Sequence, residues 1–478
     1  MVVFAPSAQL FPDYDQLYAV LQRSQKIAIE QQQPQIISIS LSITAVDIYS
    51  LLPKFSPPKE SLISLRRCPQ HSHGFQLVAG GTLWLKTLQG DDRFSRSKQL
   101  SQQLLKRCHR FGDPHPLAGP RIFCSFSFFP TVPVDNPFPA TTLLLPRWLV
   151  GQCRGNWIAV INQQITAETQ ISALMAKIDQ AFHKVASAKR TLPDPWSPDP
   201  IQRQPAVKET ETLKQSIGLV LQAIRQHRIQ KIVLSERCTL PLSSPLSLQS
   251  LMHRLHQIYP DCTTFSFSLG QGPTFLGASP ERLLSLKQGR FVIDALAGSI
   301  RRGNTPSQDK LLGQQLLDSA KDRHEHALVV SAISQRLIQL GIRITLSSVP
   351  YLLKLANIQH LHTPIQGAIP NHLHPLDLVA ALHPTPAVAG TPTDLACEHI
   401  RRLERCDRSL YAAPFGWIDN QANGEFIVGI RSALLDAHQI QMFAGAGIVK
   451  DSDPDSEVAE IQLKLKTLLQ ALILAPHP

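Results

Sequence analysis

The chain predicts a mixed α/β or α+β protein with large sheets and surrounding helices. Strand-like runs recur from end to end, and beyond about residue 205 they alternate with helical periodicity. There is no fixed-period repeat of the kind that builds solenoids. A chain of 478 residues buries a large core, as one big domain or two ordinary ones. Its 43% hydrophobic and 17% charged content is that of a folded soluble chain.

Up to about residue 205 the pattern is less regular. Gln31-Gln32-Gln33-Pro34-Gln35 and Ser56-Pro57-Pro58-Lys59 are polar, proline-bearing connectors. Between them Ile36 to Ile43 is rich in β-branched residues and reads as a strand. Gln76 to Val78, Thr82 to Leu85, Ile122 to Phe128 and Trp157 to Asn162 are further strands, and Leu174 to Ser187 is helical. The four prolines of Leu192 to Pro200 forbid regular structure and mark a joint. Next come a helix from Glu209 to Gln226 and strands at Lys231 to Ser235, Thr263 to Leu269, Phe275 to Ala278 and Phe291 to Asp294. One long helix from about Ser307 to Leu340 follows, then strands at Glu425 to Ile430 and Ile440 to Phe443.

Net charge of +11 favours anionic ligands. The basic residues are scattered and aromatic content is only 6%, so no stacking platform for nucleic acid is present in the sequence. The eight cysteines form no C-x-x-C pair and read as reduced, mostly buried thiols. No apolar run approaches the ~20 residues of a membrane span, and no basic segment precedes an apolar core at the N-terminus. A cytoplasmic location without membrane attachment is expected.

The residues richest in chemistry lie near the C-terminus. Ala444-Gly445-Ala446-Gly447-Ile448 reads as a small-residue turn whose bare N–H groups could face an anion. It feeds a helix with Asp453 as N-cap and Pro454 at the first position. On that helix Glu457, Glu460 and Lys464 fall within about 60° of one another, beside its apolar arc. Carboxylates bordering a core need a compensating cation, and a divalent metal fits; a solvated Glu/Lys edge fits the same spacing. Glu325, among Leu328, Val329 and Ala332, is a second candidate ligand or a salt-bridged structural carboxylate. His324 and His326 diverge on a helix and do not form a zinc pair.

Lys231 opens a strand. Facing inward it is a candidate general base, because burial favours the neutral amine; at a strand edge its ammonium stays in water. Ser279-Pro280-Glu281 follows the strand-like Phe275 to Ala278, which makes Glu281 a candidate general acid or part of a surface turn.

Taken together these segments resemble the chorismate-utilising enzymes: isochorismate, salicylate, anthranilate and aminodeoxychorismate synthases. The matching strings are Lys231 to Ser235, Gly277 to Glu281, Ala297 to Gly303, Lys321 to His326, Leu382 to Ala387, Tyr411 to Trp417, Gly424 to Arg431 and Ala444 to Lys464. The resemblance implies an α+β fold in which large sheets stack face to face, with helices outside and the site in a cleft between them. It makes residues 206–474 the chorismate-binding catalytic domain and 1–205 a variable region adding strands to the same fold.

Three positions point to the isochorismate synthase branch. Ammonia-using relatives carry glutamine at the place of Lys231. Aminodeoxychorismate-type members carry lysine at the place of Ala297, and salicylate-forming members usually carry threonine at that of Ala387. The resemblance further implies Mg²⁺ held by Glu325, Glu457 and Glu460. Lys231 and Glu281 become the catalytic base and acid, and chorismate is bound by Gly298, Ser299, His383, Arg431, Lys464 and the backbone at Ala446 and Gly447. Val388-Ala389-Gly390 departs from the two-glycine version common in relatives. Salicylate synthase, an anthranilate synthase-like component and a non-catalytic chorismate- or anion-binding protein are the alternatives. Menaquinone, phylloquinone, siderophore or salicylate biosynthesis could each use the product.

Overall fold

β-Branched and aromatic alternation becomes a single hydrogen-bonded network of strands in the computed structural model, which describes residues 14–53, 58–67, 74–186, 210–356 and 358–473. The strand Thr141–Cys153 is its branch point. Along one edge it pairs antiparallel with Phe75–Leu88, and along the other with Arg121–Phe126 and Asn156–Ile165. Two arms leave it. The first runs from Phe75–Leu88 through Ser61–Arg67, Thr263–Leu269, Thr274–Ser279, Ser432–Leu435 and Gln439–Ile448 to Lys231–Pro241. The second runs from Arg121–Phe126 through Pro414–Asp419, Gly424–Val428, Arg282–Lys287 and Arg290–Arg301 to Ile358–Ala368.

The arms pack face to face. Phe265 and Phe267 of the first lie 5.8 and 5.4 Å, ring to ring, from Phe415 of the second. Their apolar side chains belong to one continuous core, the arrangement expected of sheets that are hydrophobic on their inner faces. Helices Pro306–Asp318, Ala320–Gln339 and Pro454–Ile473 cover the outside near the ends of the arms.

The chain crosses from one arm to the other at Ser279-Pro280-Glu281 and again at Gly429-Ile430-Arg431. These crossings are tied together. The Val428 N–H donates to the Glu281 carbonyl and the Ala278 N–H to the Arg431 carbonyl, both at 3.1 Å. The Ser279 hydroxyl donates to the Val428 carbonyl at 2.6 Å. Proline at 280 suits such a joint, because it has no N–H to leave unpaired where a ladder ends.

Most expected strands form, several of them longer than their sequence signal. Gln76 to Val78 and Thr82 to Leu85 are one strand, Phe75–Leu88, and Lys231 to Ser235 extends to Pro241. Two expectations are corrected. The helix expected from Ser307 to Leu340 is two helices, because Ser319 adopts an extended ψ of 112° and its side chain caps the second by accepting from the Asp322 N–H. Ala444 to Ile448 is the continuation of the strand Gln439–Ile448 and not a turn; Gly445, Ala446 and Gly447 pair with Ser235, Leu234 and Val233. The expected helix start beyond it is present: the Asp453 carboxylate accepts from the Ser456 N–H, with Pro454 in the first turn. The proline-rich joint at Leu192 to Pro200 lies outside the described residues.

Candidate active site

Lys231 sits where two strands flank it, opposite Thr391 on one side and one residue beyond the Ile232–Ile448 pair on the other. Its side chain is 1% exposed, and Nζ meets Glu325 Oε1 at 2.8 Å. Glu325 comes from the Ala320–Gln339 helix, on the face next to buried Val329. Burial pushes its carboxyl up. The Lys231 charge and hydrogen bond, with Lys321 and Lys464 further off, bring it below the ordinary glutamate value.

The Ala444–Ile448 stretch makes room for this pair. A Cβ on Gly447 would stand 3.0 Å from Glu325 Oε1 and 3.2 Å from Lys231 Cε. The neighbouring strand Ser432–Leu435 pairs only as far as Met442, so beyond that point this edge has no strand partner among the described residues. Alternate backbone N–H groups between Phe443 and Ile448 are therefore directed away from the Lys231 strand.

On the last helix, Glu457 is buried and reaches Lys321 at 3.8 Å, while Glu460 pairs with Lys464 at 2.6 Å. Lys464 also donates to the Gly445 carbonyl at 2.9 Å. The Glu457 carboxyl is raised by burial, and the Glu460 and Glu325 charges add to that rise, whereas Ser452 and Lys321 oppose it. Glu457 thus feels two further carboxylates across a small region, and a lysine pairs with each of the three. Among the described residues no three His, Cys, Asp or Glu side chains enclose a metal position by themselves. Mg²⁺ does not need such a cage, since it binds through one or two carboxylates and keeps waters or substrate oxygens. Mutually repelling, partly buried carboxylates are the donor set such an ion fits.

Glu281 lies on the first crossing, 5% exposed. Burial raises its carboxyl to about 8; the Asp294 charge adds to the rise and the Lys231 charge opposes it. Arg431 lies on the second crossing with a left-handed φ of 49°. Its guanidinium donates toward Cys262 Sγ at 3.6 Å, faces His360 Nε2 at 3.3 Å and lies over the Tyr259 ring. These are neutral partners, so the cation keeps its capacity for an anion. Burial, then the Arg431 and Lys464 charges, lower His360 to about 3, which keeps it uncharged.

Gly298 is a bulge in Arg290–Arg301, with φ of 74° and the pairing register shifting around it. A Cβ there would stand 3.0 Å from Asp322 Cβ, so glycine lets the strand approach the start of the Glu325 helix. Ser299 next to it is exposed and pairs with His360. His383 does not join this group through any described contact. Its Nε2 faces the Phe128 carbonyl at 3.0 Å, and its ring packs on Phe94 and Phe128. A surface cavity of about 530 Å³, lined by Leu51, Lys59, Gly80 and Trp148 among others, includes none of the site residues.

The sequence reading missed a buried ion pair that supports the Lys231 strand. Arg408 donates to the Val233 and Val388 carbonyls at 2.8 and 2.7 Å, and Glu404 accepts from the Ser235 N–H at 2.7 Å. The two side chains join at 2.8 and 2.5 Å. Past its last pairing with Gly390 and Ala389, the open edge of the Lys231 strand is thus completed by side chains. His360 was missed as well; its alternation with His362 in the strand Ile358–Ala368 was the available signal.

Buried Lys231 lies within electrostatic reach of buried Glu281, with the Arg431 and Lys464 cations also present, an arrangement that suits the class of enzymes taking a small polyanion. The chain belongs to the chorismate binding enzyme family, whose model matches residues 21–473. It is 37% identical over 390 residues to the salicylate biosynthesis isochorismate synthase of Pseudomonas aeruginosa, covering 80% of each chain. It is 33% identical over 364 residues to the isochorismate synthase MenF of Bacillus subtilis, covering 75% of this chain and 76% of that one. The structure resembles that of MenF, the menaquinone-specific isochorismate synthase of Escherichia coli, with a TM-score of 0.75 and 26% identity over 95% of this chain and 99% of that one.

Proposed function

We propose that the chain is an isochorismate synthase, converting chorismate to isochorismate by adding water at ring C2 with loss of the C4 hydroxyl. The observation that carries this reading is the buried Lys231 within electrostatic reach of Glu281, whose carboxyl keeps its proton near neutral pH. An amine can take a proton from water, which the glutamine of ammonia-using relatives cannot.

Glu325 Oε1 meets Lys231 Nζ at 2.8 Å, and the base is the neutral amine of that lysine. As water oxygen bonds to C2, Lys231 takes its proton. Both ring double bonds move over by one position, the C4–O bond breaks, and the Glu281 proton passes to the departing oxygen, which leaves as water. Opposite protonation states on the two partners are what such chemistry requires. Arg431 and Lys464 hold the enolpyruvyl carboxylate, assisted by backbone N–H groups near Ala446 and Gly447, while Gly298 and Ser299 shape the wall beside the ring. Glu325, Glu457 and Glu460 would hold Mg²⁺, which supplies charge for the ring carboxylate.

Chromatography of products from chorismate and Mg²⁺ tests the assignment. Isochorismate without stoichiometric pyruvate is expected. Salicylate and pyruvate in proportion to turnover would select salicylate synthase, and tight binding without turnover would select a non-catalytic chorismate binder. Chelation should abolish turnover and Mg²⁺ should restore it; full activity after chelation would remove the metal from the proposal.

A further inference from the structure

Asp294 lies on Arg290–Arg301, the strand that pairs with Arg282–Lys287 directly after Glu281. It is buried and held from two sides. Arg282 donates through Nε to Oδ2 at 3.1 Å and through Nη2 to Oδ1 at 3.2 Å, and His362 Nε2 meets Oδ1 at 2.9 Å. The ladder between Arg282–Lys287 and Gly424–Val428 shifts register between Arg282 and Leu284, a bulge that re-aims the strand start. The binding and catalytic groups described above do not include Asp294.

We propose that Asp294 is a positioning residue for the acid: a fixed, buried negative charge that holds the neighbouring Glu281 carboxyl in its proton-bearing form. This rests on Glu281 being the proton donor of the reaction. The groups facing the pair are Lys231 from the first arm and, around Asp294, Arg282, His362 and Tyr351. Arg67 and Glu425 stand beyond Arg282, and His326 beyond His362. Of these, Lys231 opposes the rise at Glu281, and Asp294 is the charge that adds to it. Asp294 can play this part because it stays ionised. Burial works against its charge, but His362 and Arg282 overcome that and hold its carboxyl at about 2. Two carboxyls near each other cannot both ionise cheaply; the network decides which one does.

The test is an infrared titration of the protonated Glu281 carboxyl band, identified by its loss in Glu281→Gln, alongside the pH profile of kcat. Asp294→Asn, isosteric but uncharged, should move both the band and the Glu281-governed limb to lower pH, by about one unit or more. Arg282→Gln, in which the His362 hydrogen bond still holds the Asp294 charge while the cation beside it is gone, should move them to higher pH. Opposite shifts cannot come from a merely structural role. If Asp294→Asn lowers the rate at every pH while band and limb stay at the wild-type position, the proposal is overturned. Should Asp294→Asn fail to fold, Arg282→Gln decides alone, and absence of an upward shift overturns the proposal. Unimpaired turnover in Glu281→Gln would reject the acid assignment instead, and the band titration would still decide whether Asp294 holds that proton.

Discussion

At the scale of single residues, Glu281 has lost its water without gaining a cation close enough to repay it, and it therefore keeps a proton that an exposed glutamate gives up. The consequence for stability has a definite sign. With a folded value of about 8 against an ordinary 4.5, the native state binds more protons than the unfolded chain between those limits. The stabilisation is complete below the lower limit and is lost as pH rises through the upper one, at about 1.4 kcal/mol per pH unit across the window. Glu281→Gln lacks this loss. It should lose turnover yet gain melting temperature over wild type as pH is raised from 5 to 8; a constant difference across that range would contradict the assignment. Lys231→Gln should cut hydration of chorismate by about 100-fold or more with an unchanged circular dichroism spectrum. Near-normal turnover in that variant would remove Lys231 as the base.

At the scale of elements, the strand Gln439–Ile448 matters more than its sequence suggests. Gly447 stands against both partners of the Lys231–Glu325 pair, so Gly447→Ala should push one of them aside. An activity loss of about tenfold to a hundredfold is expected, with a melting temperature near wild type because the ladder itself survives; retained activity would show that the pair tolerates displacement. The same strand shows why part of the site was illegible in sequence. Alanine and glycine carry weak strand signals, and Ala444 to Ile448 is a strand because Glu236 to Ile232 lie alongside it, between 208 (Ala444↔Glu236) and 216 (Ile448↔Ile232) residues away in the chain. Ser319 breaks the long helix through a capping geometry that a helical period alone does not reveal. Alternation did expose Ile36 to Ile43 and Thr263 to Leu269, where side chains alone announce two buried faces. Lys231, Glu281 and Glu325 were recognisable through the family's local strings. Asp294, His362 and the Arg408–Glu404 pair depend on which strands become neighbours, and no local string carries that.

At the scale of the whole molecule, the first and last parts of the chain share their sheets. Ser61–Arg67 pairs with Thr263–Leu269, and Arg121–Phe126 with Pro414–Asp419. Separating them leaves long apolar edges open. Residues 1–186 and 210–478 expressed apart should each aggregate, and co-expressed they should elute together as one particle with activity. Independent, soluble and cooperatively melting halves would show that the shared ladders are dispensable. No helix among the described residues is long and apolar enough to cross a membrane.

Glu281 and Arg431 occupy twin seams stitched to each other by main-chain hydrogen bonds. The two residues are thereby riveted at a fixed separation, and neither can drift without the other. Lys231 opens the strand at the far margin of one arm, and past that strand's short pairing with Gly390 and Thr391 side chains complete its edge at Val233 and Ser235. A side chain exchanged at position 231 accordingly leaves the main-chain stitches between the seams untouched.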